Sequence, residues 1–260
     1  MPDGDDGGAT GAIGAENASG DLSGAAGPGT NFRRIFERDL RPLPPDARMA
    51  AARSADGALL MALCLDPDPR VIIRVLENAL IGLPHARLIA EHHRNPVGLE
   101  ALVARSAFLQ DDAVRRLLLR NVQTPESVLR KLFSSSNLSQ LFKLSVSRES
   151  TERAKRAARD ALRRRFLQVG GEECAALIFT TEGRCLPLLL GLQFDGKTTA
   201  LLCRRTYAST LLIQNLARFP GTPPAVIRHL LNQPMVRRTP HLRQLLLQHA
   251  NCPSESRRTN

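Results

Sequence analysis

The stretch with the most recognisable chemistry is GLQFDGKT, residues 191–198, which fits the G-x-x-x-x-G-K-[ST] pattern of loops that cradle phosphates with backbone N–H groups and a lysine. It follows an apolar run, Leu186 to Leu190, and precedes a helix-like segment. A nucleotide site also needs an acid to hold Mg²⁺, usually on a later strand. After Asp195 the only acidic residue is Glu255, and the 62 residues beyond Thr198 are Leu-rich helical segments that cannot supply a parallel sheet. Asp195 would itself repel phosphate inside such a cradle. The stretch is therefore read as a helix start capped by Asp195 and running through Arg205.

Other reactive residues are scattered. His92 and His93 are adjacent, so on a helix they point to different sides, and His249 with Cys252 offers two metal ligands without a third or fourth. The cysteines, Cys64, Cys174, Cys185, Cys203 and Cys252, are odd in number and form no C-x-x-C pair. They read as reduced thiols of a cytoplasmic protein. No paired carboxylates and no Ser/His/Asp arrangement stand out. The expectation is a chain with no catalytic residues, no metal and no cofactor, and with no small-molecule substrate evident.

Charge is more informative. Net charge is +11, but residues 1–30 hold five acids and no base, so residues 31–260 set 36 Lys and Arg against 20 acids, a net +16. Nearly all the cations are Arg, since Lys occurs only at 131, 143, 155 and 197. From Arg148 through Arg165 there are eight bases against Glu149, Glu152 and Asp160. The candidate anion- or partner-binding residues are Arg153, Arg156, Arg159, Arg163 and Arg164 in that segment, with Arg115, Arg116, Arg237 and Arg238 elsewhere. Such an excess suits either an acidic protein partner or a phosphate backbone. With no Trp and only Tyr207, the chain lacks the aromatic platforms of base-reading proteins, which leaves backbone contact as the nucleic-acid alternative.

The elements that must position these arginines are short helices. A core built of Leu, Ala, Val and Ile with 4% aromatics favours helix over a β-sandwich. Residues 111–133, DDAVRRLLLRNVQTPESVLRKLF, form one complete unit. Asp111 caps a first helix, with Val114, Leu117 and Leu118 on one face; Asn121 closes it in a left-handed conformation; Thr124 caps and Pro125 opens a second helix bearing Val128, Leu129 and Leu132. Parts of the unit recur. With Asp68 on Asp111, Val71 falls on Val114, Val75 on Leu118 and Asn78 on Asn121; Thr222-Pro223 with Val226 and Leu230 repeats Thr124-Pro125 with Val128 and Leu132. Other helices are expected from Phe32 to Leu40, from about Ala47 to Cys64, from Glu149 to Gln168 and from Leu211 to Phe219. The third carries an apolar seam of Ala154, Ala158, Ala161, Leu162 and Phe166.

The segments DPDPRVIIRVLEN (66–78), DDAVRRLLLRNVQTPESVLRKL (111–132) and GTPPAVIRHLL (221–231) resemble the leucine-rich repeat variant, a bacterial relative of HEAT-type helical repeats. The match is good over 62–133 and 209–254 and poor over 134–194. The resemblance implies an all-α, right-handed α-solenoid of short helix pairs that serves as an interaction surface. Some members place a Cys cluster before the repeats for an iron–sulfur centre; no Cys precedes Cys64 here, so that cofactor does not carry over.

The expected organisation is a disordered acidic Gly-rich tail (1–30), a helical block (31–147), a basic bridging helix (148–169), a second block (170–254) and a frayed end (255–260). No signal segment or run of eighteen apolar residues is visible, so neither secretion nor a membrane span is expected. The expected role is a cytoplasmic, non-catalytic scaffold for a protein partner; the alternative is sequence-independent nucleic-acid binding.

Overall fold

A computed structural model describes residues 31–255; the expected tail at 1–30, and all but Glu255 of the one expected at 255–260, lie outside the described residues. Among the described residues there are 17 α-helices and no strand. They are α1 (Phe32–Ile35), α2 (Pro45–Ser54), α3 (Gly57–Leu63), α4 (Pro69–Glu77), α5 (Leu83–His92) and α6 (Pro96–Ala104). Next come α7 (Ser106–Leu109), α8 (Asp112–Arg120), α9 (Glu126–Phe133), α10 (Leu138–Val146), α11 (Glu152–Gln168) and α12 (Gly171–Thr180). The last are α13 (Gly196–Cys203), α14 (Thr210–Arg218), α15 (Pro224–Leu231), α16 (Pro234–Arg238) and α17 (Pro240–Leu247). A wider turn extends α1 over Phe36–Leu40, and Leu186–Leu189 makes one tight 3₁₀ turn.

Contacts skip along the chain. One row runs α2, α4, α6, α9, α11, each packed on the next, and α1, α3, α5 and α8 form a second row. Further on, α10 packs on both α11 and α12, and α13, α15 and α17 follow one another. A single contiguous apolar core runs through all of these, from Phe36 to Cys252. Among the described residues every helix but α11, which has 17 residues, is ten residues or shorter and too short to be stable alone, so each depends on the apolar face its neighbours cover.

Local chemistry sets the boundaries. Asp111 accepts the Val114 N–H at 2.8 Å, as expected of its position, and Asp68, Asn95, Thr151 and Ser209 cap their helices in the same way. Prolines open α2, α4, α6 and α15, where the missing N–H costs nothing. Two expected boundaries move. The helix from Ala47 to Cys64 is broken at Ala55-Asp56, and Gly57 begins α3 at φ +44°, a left-handed backbone that favours glycine. The basic helix starts at Glu152 rather than Glu149, because Thr151 turns inward as its cap and donates its N–H to Leu119 O at 3.0 Å.

Two motif residues do different work from that expected. Asn121 is extended (φ −75°, ψ 117°) rather than left-handed. Its amide is buried and donates to Ala90 O and His93 O, both at 2.9 Å, while its carbonyl oxygen accepts the Gln123 N–H at 3.0 Å. Thr124 caps nothing: Pro125 holds the cap position of α9, and the Thr124 hydroxyl turns back to donate to Leu118 O at 2.6 Å. Thr222 repeats this with Leu216 O at 2.7 Å.

Asn78 matches Asn121, donating to Ala52 O and Ala55 O, both at 2.9 Å. Histidine takes the part twice. His93 donates from Nδ1 to Asp66 O at 3.1 Å, and His249 bonds Phe219 O through Nε2 at 2.9 Å. The carboxylate of Asp66, wholly buried, accepts from the Arg48 guanidinium at 2.6 Å and from the Asp68 N–H at 2.8 Å. His93 Nε2 has no partner, and a Cβ on Gly98 would lie 2.1 Å from it, so only glycine lets α6 approach the ring.

Two outcomes follow for stability. Asn121→Ala leaves buried carbonyls at the end of α5 without donors and is expected to cost roughly 2–4 kcal/mol, read from urea denaturation. Burial holds the His93 and His85 imidazoles below their ordinary value of 6.5. Below pH 6.5 the unfolded chain therefore takes up protons that the folded chain refuses, and stability falls with pH until the depressed folded pKa is reached. Denaturation midpoints taken from about pH 7.5 to about pH 5.5 should decline, and less steeply in His93→Gln. Equal slopes in both proteins would assign the decline to other groups.

Candidate functional site

The loop at 191–198 is built for helix capping. Asp195 Oδ1 accepts the Thr198 N–H at 2.7 Å, and the helix it caps ends at Cys203, short of the expected Arg205. Thr198 is buried with its hydroxyl turned toward Gly171 O at 3.4 Å, and a Cβ on Gly171 would lie 2.6 Å from Thr198 N. The hydroxyl a metal would need is thus inside a close helix contact. Lys197 points away, to Glu172 at 2.7 Å, and the run before the loop is a 3₁₀ turn instead of a strand.

The remaining reactive groups are absorbed by packing. Cys64, Cys174, Cys185 and Cys252 are buried, and burial pushes the Cys174 and Cys185 thiols up to about 11, well away from the thiolate form at neutral pH. His249 engages both ring nitrogens, Nε2 with Phe219 O and Nδ1 as acceptor of the Asn251 N–H. His92 sits at the surface beside Glu91 while His93 faces inward. No cluster of three or more potential metal-binding side chains occurs among the described residues.

The arginines remain. Of the seam expected on α11, Ala154, Ala158, Leu162 and Phe166 are buried and Ala161 is half-buried, and α9 and α10 pack on this helix. The small alanines let α10 lie close. Arg153, Arg156 and Arg164 are exposed and have no hydrogen bond or ion pair among the described residues. Arg159 and Arg163 are partly occupied: Arg159 reaches Ser145 O at 3.4 Å, and Arg163 donates to Leu188 O at 3.0 Å and Leu190 O at 2.9 Å, tying down the 3₁₀ turn. Of the outlying candidates, Arg115 donates to Leu132 O at 3.2 Å and Arg116 to Asp112 O at 3.3 Å. Arg237 bonds Asn232 at 3.3 Å on α16, where Arg238 is exposed.

α11 also borders a cleft of about 270 Å³, lined by Arg130, Phe133 and Ser134 from α9 and its end, Leu141 from α10, and Ala161, Arg164, Arg165 and Gln168. No carboxylate lines it. Arg165 Nε is buried there without a partner. Arg130 stands 3.8 Å from Glu126, beyond hydrogen-bond reach, with both side chains mostly exposed. Of the cleft arginines, Arg164 belongs to the candidate binding set named from sequence, and Arg165 does not. The signal for Arg165 was its spacing, four residues from Ala161 and seven from Ala158 on the buried flank.

Comparison with family models, with curated proteins and with solved structures found no match to this chain.

Titration with ATP and Mg²⁺ is expected to show no saturable binding in either the unaltered chain or Lys197→Ala. Saturable ATP binding that vanishes in this variant would restore the phosphate-loop reading of residues 191–198.

Proposed function

We propose that this chain is a non-catalytic helical-repeat scaffold of the leucine-rich repeat variant type, a right-handed α-solenoid that docks an acidic protein partner along α11. What supports the architecture is the skipping pattern of helix contacts, together with the recurrent Asp caps and the Asn and Thr back-bonds. The observation that carries the function is the state of Arg153, Arg156 and Arg164. Some cations on other helices are matched locally, as in Arg74 with Glu77, Arg87 with Asp111 and Arg70 with Asp68, while single exposed ones such as Arg53 and Arg218 are not matched among the described residues; α11 gathers three on one helix. On α11 three exposed guanidiniums have no such match, and a partner's carboxylates would supply it with bidentate geometry. No helix among the described residues is long and apolar enough to cross a membrane.

The same charge supports a second reading, contact with a nucleic-acid backbone. Charge reversal on α11 tests both. Proteins captured from a lysate by the wild-type chain and lost by Arg153→Glu/Arg156→Glu/Arg164→Glu, with helicity intact, are the expected result. Capture unaffected by the reversal would remove α11 as the docking face. Gel shift of a random duplex at about 50 mM and about 200 mM salt separates the readings, since binding through several phosphates falls by orders of magnitude across that interval. Tight, salt-sensitive duplex binding lost in the triple variant would put nucleic acid ahead of protein.

A further inference from the structure

We infer that the cleft between α9, α10 and α11 is a binding site for a phosphate monoester carried on a small apolar body. Three features point to it together. The first is charge: Arg130, Arg164 and Arg165 converge on one cleft that no carboxylate lines. Three like charges border one cleft, with Glu126, 3.8 Å from Arg130 and mostly exposed, the carboxylate near them, and a dianion in the cleft would offset their charge while accepting their N–H forks. A carboxylate, with one charge and two oxygens, would satisfy fewer of these donors than a phosphate with three free oxygens.

The second feature is an open valence. Arg165 borders the cleft, and its Nε is buried without a partner, an uncommon condition for a polar atom. Arg165 is half-buried on the flank of α11, one turn on from Ala161, which also lines the cleft. Arg130 and Arg164 lie at the exposed rim, where they can close over a ligand.

The third feature is the floor. Phe133, Leu141 and Ala161 are apolar, and Phe133 and Leu141 are buried. A volume of about 270 Å³ is below the usual range for drug-sized ligands and suits a group of benzene-ring size joined to a phosphate. The chemistry is the same whether the phosphate belongs to a free metabolite or to a phosphorylated side chain of a partner. This site stands apart from the docking face on α11, sharing only Arg164 with it.

The test is calorimetric titration of the full chain with phenyl phosphate, inorganic phosphate, benzoate and a short phosphotyrosine peptide. Phenyl phosphate is expected to bind saturably, with inorganic phosphate and benzoate each weaker by about tenfold or more for want of the apolar body or the second charge. Arg130→Gln/Arg164→Gln changes only exposed side chains, so it should keep its helical spectrum while losing about tenfold or more in affinity. The peptide binding more tightly than phenyl phosphate would identify a protein-borne source, and weaker binding a free one; either agrees with the site. Absence of saturable phenyl phosphate binding by folded protein, equal affinity in the double variant, or benzoate binding as tightly would each overturn the assignment. Retained docking of a protein partner by the Arg130→Gln single variant, with phenyl phosphate lost, would separate failure of one proposal from failure of the other.

Discussion

The structure depends on finding donors for the carbonyl groups at the ends of short helices. Every α-helix leaves its last four carbonyls without intrahelical partners. In a long helix these are a small fraction of the backbone; in helices of eight to ten residues, such as α4, α5 and α8, they approach half of it. Where those ends are buried against a neighbour, water cannot reach them, and each unpaired acceptor would carry a desolvation penalty comparable to a lost hydrogen bond. The chain meets this with side-chain amides and imidazoles that reach across from the next helix of the stack. Asn78, His93, Asn121 and His249 each sit just beyond a helix and each donate to a carbonyl at or near the end of an earlier one. Packing of apolar faces brings the helices together, and these donors fix how they meet.

Close approach is the companion constraint. Gly98 lets α6 lie against the His93 ring, Gly171 lets α12 meet the start of α13, and a Cβ on Gly221 would stand 2.5 Å from Leu192 O. The alanine seam of α11 does the same for α10. A core poor in large rings can be close-packed only if backbones come near one another, and small residues at the crossings permit that. The aromatic residues that do exist are gathered toward the second half, where Phe194 stacks on Phe219 at 5.3 Å and Phe179 meets Tyr207 at 6.2 Å.

What could be read from sequence was whatever is decided within a few residues. Asp111 and Asp195 were legible as caps because the N–H groups they bind lie three residues on. The buried seam of α11 was legible from its period. Asn121 and Thr124 were legible as a recurring signature but not in their roles, because the partners of Asn121 lie 28 and 31 residues away and the Thr124 hydroxyl points backward past the turn. Local precedent favours a left-handed Asn and a capping Thr; tertiary demand for donors overrode both. The break at Ala55-Asp56 was hidden because Gly57 in a Leu- and Ala-rich run carries no proline or turn cluster to announce it. In the candidate site, the basic character of α11 was plain from composition, whereas the cleft takes Arg130 from α9 and Arg164 and Arg165 from α11. Only the fold brings those charges together.

The direction of the amide and imidazole bonds has its own consequence. Asn78, His93, Asn121, Asn215, His249 and Asn251 all reach back to carbonyls 23 to 33 positions earlier, at Ala55 at the short extreme and Glu182 at the long one. A helix end in this protein is therefore completed by residues made after it. An end closed in this way is complete only once the later segment that carries its donor is in place, two or three helices further along the chain.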